Sequence, residues 1–189
     1  MHLLLIPRNP DYYNEHPLSL LSTNAPFRSE VLKRVARLKH LAASELRRKY
    51  GRYSASDAPY QAALEDLMSQ DDPPPPSERD EKLPPGRDWL AEIKAGAHTH
   101  PSMNHMHIHI MSRDMHSPCM KHKKHYLSFN SSFLVEVDEF PLEEGSKRFH
   151  PGSWPNWDIK CWRCGENYQN KFARLKEHLE EEFEAWKKE

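Results

Sequence analysis

The apolar positions of this chain fall in short runs whose spacing changes along its length. His2 to Ile6 is a brief apolar run closed by Pro7, which has no N–H to pair, and it predicts a strand at the start. From Pro26 to Lys49, Phe27, Val31, Val35, Leu38, Ala42 and Leu46 recur three or four positions apart between arginines and lysines, the pattern of an amphipathic helix. Asn24 offers an N-cap, Pro26 suits a first turn, and Gly51 is expected to end the helix. A shorter helix is predicted over Pro59 to Met68. Gln70 to Arg87 then gathers Asp71, Asp72, the prolines from Pro73 to Pro76, and Pro84-Pro85-Gly86. So little apolar surface cannot order itself, so a disordered surface insertion is expected there. Strands are predicted over Trp89 to Ala97, His105 to Ser112 and Phe133 to Val137, with a turn over Thr99 to Asn104. Gly145 to Trp157 reads as a linker, and Asp158 to Glu189 as a small module ending in an amphipathic helix.

That order gives an α+β chain with a main domain over 1–144, a linker over 145–157 and an appendage over 158–189. The 189 residues suit such a division, because compact domains run to about 100–150 residues. No apolar run approaches the roughly 20 residues that span a bilayer, so no membrane partner is expected. The first residues lack the basic start, long apolar stretch and cleavage site of a secretory signal, which points to an intracellular protein. Two of the three cysteines form a C-x-x-C, the usage of a metal site in a reducing compartment rather than of a disulfide framework. Cys119, far from the other two, is expected to be a packed thiol. The formal net charge is -1, so any contact with nucleic acid must come from a local patch.

Thirteen histidines are many for this length, and they cluster. His105, His107 and His109 alternate with Met106, Ile108 and Ile110, so a strand here would put three imidazoles on one face and three apolar side chains on the other. Neutral imidazole is a nucleophile near pH 7 that can attack phosphorus, and the resulting phosphoramidate stays labile to water. By spacing alone a three-histidine metal site is an equal rival. Lys121, Lys123 and Lys124 form a candidate phosphate patch beside this run.

His98-Thr99-His100-Pro101-Ser102-Met103-Asn104, followed by the alternating run and Ser112-Arg113-Asp114, resembles the signature of the histidine-triad family and in detail its aprataxin branch. Ser117-Pro118-Cys119-Met120-Lys121-His122-Lys123-Lys124-His125-Tyr126, Ser128-Phe129-Asn130 and His2-Leu3-Leu4-Leu5-Ile6-Pro7-Arg8 extend the likeness. It implies a histidine-triad fold, an antiparallel sheet with packed helices, and a hydrolase that removes AMP from the 5′-phosphate left by an aborted DNA ligation. It further implies His107 as the nucleophile, His98 as the group that helps the leaving phosphate depart, and His109 and Ser102 as phosphate-holding groups. His105 would support the site, Lys121 would lie near the DNA phosphate and His2 near the nucleotide. The likeness also implies a helix-bearing segment ahead of the first strand, so the chain is expected to be N-terminally shortened. A DNA-end sensor with weakened turnover and a general nucleotide phosphoramidate hydrolase are the competing readings.

Cys161-Trp162-Arg163-Cys164 is followed by His178 and Glu182 in the spacing C-x2-C-x13-H-x3-E. On a helix the last two lie one turn apart on one face, where both could reach a metal held by the cysteines. So short a module needs a staple, and one structural zinc ion supplies it. A redox C-x-x-C would need a thioredoxin-like βαβ setting, which is missing. Fungal members of the resembled branch use the same two-cysteine, histidine and glutamate set. Arg163, Lys171 and Arg174 add positive charge suited to a DNA backbone. The expected partner is nicked or ended duplex DNA carrying a 5′-adenylate, met by a monomer in the nucleus.

Overall fold

In the computed structural model the side chain of Asn24 accepts a hydrogen bond from the Phe27 N–H at 3.0 Å and starts the long helix α2, Ala25–Tyr50. The structure describes residues 1–103 and 105–189, Asp80 through its backbone only. Before α2 come strand β1, His2–Leu5, and helix α1, Pro17–Thr23. Helices α3, Ala58–Met68, and α4, Pro76–Lys82, lead to strands β2, Ile93–His98, and β3, Ile108–Ser112. Helix α5, Lys123–Phe129, and strand β4, Leu134–Glu136, complete this part. Strands β5, Ile159–Lys160, and β6, Asn167–Gln169, then form a small hairpin before helix α6, Phe172–Trp186.

The four-stranded sheet is antiparallel in the order β1-β3-β2-β4. Its register aligns Leu4, His109 and Gly96 across one face, while Leu3, Ile110 and Ala95 form the neighbouring row on the other. Ile93, Ala95, Ala97, Ile108 and Ile110 bury that second face against α1 and α2. The first face is left for the histidines and, beyond them, for the C-terminal module. Gly96 sits opposite His109 because no side chain fits: a Cβ there would stand 2.6 Å from the Val135 carbonyl oxygen, which is backbone and cannot yield.

The C-terminal module is part of the same body. Phe183 and Trp186 of α6 enter the main core, while Ile159, Cys161, Leu175 and Leu179 share a second cluster with Met111, Met115, Met120, Tyr126 and Leu127. The expected linker is packed as well: Phe149 lies against the main core and the Trp154 ring packs on Phe133 at 4.1 Å.

Several expectations give way to local and tertiary contacts. The strand predicted from Trp89 begins only at Ile93, because Asp88 Oδ1 accepts from the Leu90 and Ala91 N–H groups and folds a turn. The strand predicted from His105 begins at Ile108, since the Met106 N–H donates instead to the Tyr13 carbonyl. The turn predicted over Thr99 to Asn104 ends at a residue outside those described. The proline-rich stretch holds helix α4, and its end is buried: the Arg87 N–H donates to Asp57 Oδ1 at 2.7 Å and Arg87 is 8% exposed. Cys119 is exposed rather than packed, on the turn ahead of α5. Among the described residues no helix is long and apolar enough to cross a membrane.

Candidate active site and metal centre

At the end of β2, His98 meets His109 of β3 ring to ring at 4.2 Å, and His107 stands edge-on to His109 at 4.8 Å. His2 of β1 joins them, its Nε2 2.8 Å from His109 Nδ1. Three strands and the lead-in to β3 thus bring four imidazoles to one spot, with His98, His107 and His109 all buried. His105 turns away, its ring packing on Tyr13 at 4.2 Å. The three alternating histidines therefore do not form one row, because pairing starts only at Ile108 and residues 105–107 follow their own path. Ser102 is exposed on the loop between β2 and β3 and takes no part in the hydrogen bonds that tie the cluster.

Phe129 closes the cluster, its ring 4.9 Å from His98, 5.2 Å from His109 and 5.3 Å from His2. Sequence reading gave it no role, although it stands in the Ser128-Phe129-Asn130 motif. Lys94 Nζ donates to its carbonyl at 2.6 Å and fixes the end of α5.

One bond sets the chemistry of His107. Its Nδ1 lies 2.6 Å from the His105 carbonyl oxygen, and a carbonyl can only accept, so Nδ1 carries the proton. Nε2 of the neutral ring then holds the lone pair. Nearby, His98 Nε2 and His109 Nε2 are buried without a hydrogen-bond partner. Unpaired buried nitrogens are costly and point to a polar ligand.

Burial pushes the imidazolium of His109 down to about 2, helped by the like charges of His98, His107 and His2. Burial likewise lowers His98 to about 4, with His107 adding to the effect, and lowers His2. His98 and His109 are thus neutral at pH 7. An unfolded chain takes up these protons below about pH 6.5, whereas the folded one refuses them down to about pH 4 at His98 and lower at His109. Stability conferred by the neutral form is therefore complete above about pH 6.5 and lost as pH falls below it, at up to about 1.4 kcal/mol per pH unit for each such histidine. Urea denaturation between pH 7.5 and pH 5, compared with His109→Asn, should show a shallower acid loss in the variant. Equal slopes would contradict the burial cause, and the comparison leaves the C-terminal module unchanged.

In that module the ligand atoms of Cys161, Cys164, His178 and Glu182 all lie within 4.8 Å of one another, the one such group among the described residues. Cys164 Sγ and Glu182 Oε1 are each 3.2 Å from His178 Nε2. A tetrahedral zinc with its usual bond lengths spaces its donors about 3.3–3.8 Å apart, so the four fit that ion. Gly165, at φ +77°, turns the chain after the second cysteine, and the β5–β6 hairpin and α6 then set the two halves of the ligand set face to face. Tyr168 packs on His178 at 5.3 Å, and Leu175 and Leu179 are buried beneath.

The basic residues divide. Lys121, Lys124, Lys171 and Arg174 are exposed, and Lys123 Nζ bonds Asn170 Oδ1, so residues 121–124 border the module near Lys171. Arg163 does not belong to that surface. Its guanidinium pairs with Glu182 Oε2 at 2.5 Å and with Glu189, behind the metal ligand. Arg163, expected at the DNA backbone, is paired in the structure with the Glu182 carboxylate, which it holds below the usual carboxylate range.

Comparison with known proteins places these features. Residues 130–185 match the family described as C2HE / C2H2 / C2HC zinc-binding finger, and residues 81–125 match scavenger mRNA decapping enzyme C-term binding. The chain is 34% identical to an aprataxin-like protein of Schizosaccharomyces pombe, over 98% of this chain and 67% of that protein. It is 31% identical to an aprataxin-like protein of Saccharomyces cerevisiae, over 97% of this chain and 79% of that one. Among solved structures, that of the aprataxin orthologue Hnt3 in complex with DNA superposes with a TM-score of 0.72 at 32% identity, covering 98% of this chain and 78% of Hnt3. A structure of Hnt3 with DNA and guanosine gives 0.67 at 31% identity, with the same coverage.

Proposed function

The chain belongs to the aprataxin family of histidine-triad hydrolases, and from that premise we propose that it removes AMP from adenylated 5′ ends of nicked DNA through a covalent bond to His107. The observation that carries this reading is the 2.6 Å contact from His107 Nδ1 to the His105 carbonyl, which leaves Nε2 as the attacking lone pair. Nε2 bonds the adenylate phosphorus, the P–O bond to the DNA 5′-phosphate breaks, and its electron pair leaves with that phosphate. Water then attacks the same phosphorus, the N–P bond breaks, AMP departs and the ring returns to its starting form.

The neighbouring residues are read in the same way. His109 Nε2, buried and unpaired, donates to a phosphate oxygen, which requires His109 Nδ1 to accept from His2 Nε2 across their 2.8 Å contact. His2 thereby holds His109 in the donating tautomer. His98 Nε2 faces the departing phosphate, whose charge offsets the burial that otherwise keeps this ring neutral. Ser102, exposed on the loop between β2 and β3, would meet the phosphate from that side of the pocket. Lys121, Lys124, Lys171 and Arg174 follow the DNA backbone, while Lys123, tied to Asn170, holds that border in place. The finger residues Cys161, Cys164, His178 and Glu182 would hold zinc, which supplies rigidity and no step of the reaction. All four imidazoles come from one chain, which supports action as a monomer, and a DNA substrate supports a nuclear location.

The test is to compare 5′-adenylated nicked duplex with a small adenosine phosphoramidate. AMP release from the duplex, at much higher kcat/KM than from the small molecule, is the expected result. Preference for the small molecule would favour a general phosphoramidate hydrolase. Tight duplex binding without AMP would favour an end sensor, and either outcome would displace the proposal.

A further inference from the structure

Helix α2 carries eight lysines and arginines against two glutamates, in a chain whose net charge is -1. It packs on the sheet face opposite the histidines, so this positive charge does not serve the hydrolytic site. Its C-terminal half, α3 and the run from Leu83 to Leu90 bound a groove of about 800 Å³. His40, Arg47, Arg48 and Arg52 line one side, and Leu64 and Leu83 contribute apolar surface. The single acid in the lining, among the described residues, is Asp88, whose carboxylate is already engaged with the Leu90 and Ala91 N–H groups.

Arg47 and Arg52 are placed against aromatic rings, while Arg48 is 73% exposed along its side chain. The Arg47 guanidinium lies 4.2 Å over the Tyr60 ring and donates through Nη2 to the Arg87 carbonyl at 3.0 Å. Its Nε stands 3.5 Å from Asp57 Oδ2, yet is buried with no hydrogen-bond partner. Arg48 shares Glu45 at 2.8 Å, and Arg52 stacks over Tyr53, a neutral neighbour. Ordered guanidinium groups of this kind suit carboxylates, because their fork is already set.

We propose that this groove docks a short acidic segment of a partner protein, its carboxylates on Arg48 and Arg52 and its apolar side chains against Leu64 and Leu83. Charge complementarity selects an anionic occupant, and the apolar lining selects a polypeptide over a phosphodiester backbone, which has no apolar side chains to place there. A duplex held at the histidines lies on the other side of the sheet, so partner and substrate can bind together.

The experiment titrates the full chain into a fluorescein-labelled peptide of alternating glutamate and leucine at low salt and follows anisotropy. Saturable binding is expected, with Arg48→Glu/Arg52→Glu at least about tenfold weaker while turnover of adenylated nicked duplex stays within about twofold. Replacing the peptide's glutamates with glutamine, or its leucines with serine, should each weaken binding. No binding, equal binding by the double variant, or indifference to either peptide change would overturn the proposal. So would a loss of affinity for plain duplex in the double variant with displacement of the peptide by that duplex, which would assign the groove to nucleic acid.

Discussion

His107→Ala is expected to lower AMP release from adenylated nicked duplex by about four orders of magnitude or more, the size of effect that follows removal of a covalent nucleophile. Affinity for the same duplex should stay within about threefold, because the residues read as backbone contacts are exposed lysines and an arginine at the start of α5 and on the finger. The asymmetry is the informative part. A residue that only holds substrate would move KM and affinity, whereas the nucleophile moves kcat. Acid quenching of the wild-type reaction should trap AMP on the protein through an acid-labile bond, and the variant should trap none. Turnover by His107→Ala near the wild-type rate would sink the mechanism. His109→Asn should lose less, since other donors remain for the phosphate and the attacking nitrogen is untouched.

Much of the histidine cluster is legible because His98, His107 and His109 sit within one run, where alternation and a long motif coincide. Placement within the run is not. Alternation predicts one row of imidazoles, yet Tyr13 draws the backbone at Met106 and the ring of His105 out of that row. The metal quartet was equally readable, since cysteine spacing and a helical i, i+4 pair are local patterns. The pairing of Arg163 is not legible for the opposite reason: its partners lie 19 and 26 residues away, and nothing in the sequence says which acid a surface arginine will meet. The proline-rich stretch fails in the same way. Its own residues cannot build a core, but Asp57 and Trp186, 30 and 99 residues from Arg87, provide the partners that order its end.

That end carries the second large effect. The Arg87 guanidinium, 7% exposed, lies over both the Trp89 and the Trp186 ring, at 4.5 and 4.8 Å. It pairs with Glu92 at 2.8 Å and donates to the Trp186 carbonyl at 2.5 Å, while the Trp186 indole donates to the other Glu92 oxygen. Through Glu189 it reaches Arg163 and so the ligand carboxylate of Glu182. A continuous chain of charge pairs therefore runs from the metal ligands to the start of β2. Arg87→Ala leaves Glu92 Oε1 and the Trp186 carbonyl without this donor in a largely dry seam, and should cost about 3 kcal/mol. Arg87→Ala/Glu92→Ala should cost little more than either single change, because the pair acts as a unit. Since Trp186 anchors the end of α6, the finger should come loose first: zinc passes to a chelator faster in Arg87→Ala, and unfolding followed by zinc release precedes that followed by far-UV circular dichroism. A wild-type midpoint in urea, or simple additivity in the cycle, would show that the finger is held to the sheet by apolar contacts alone.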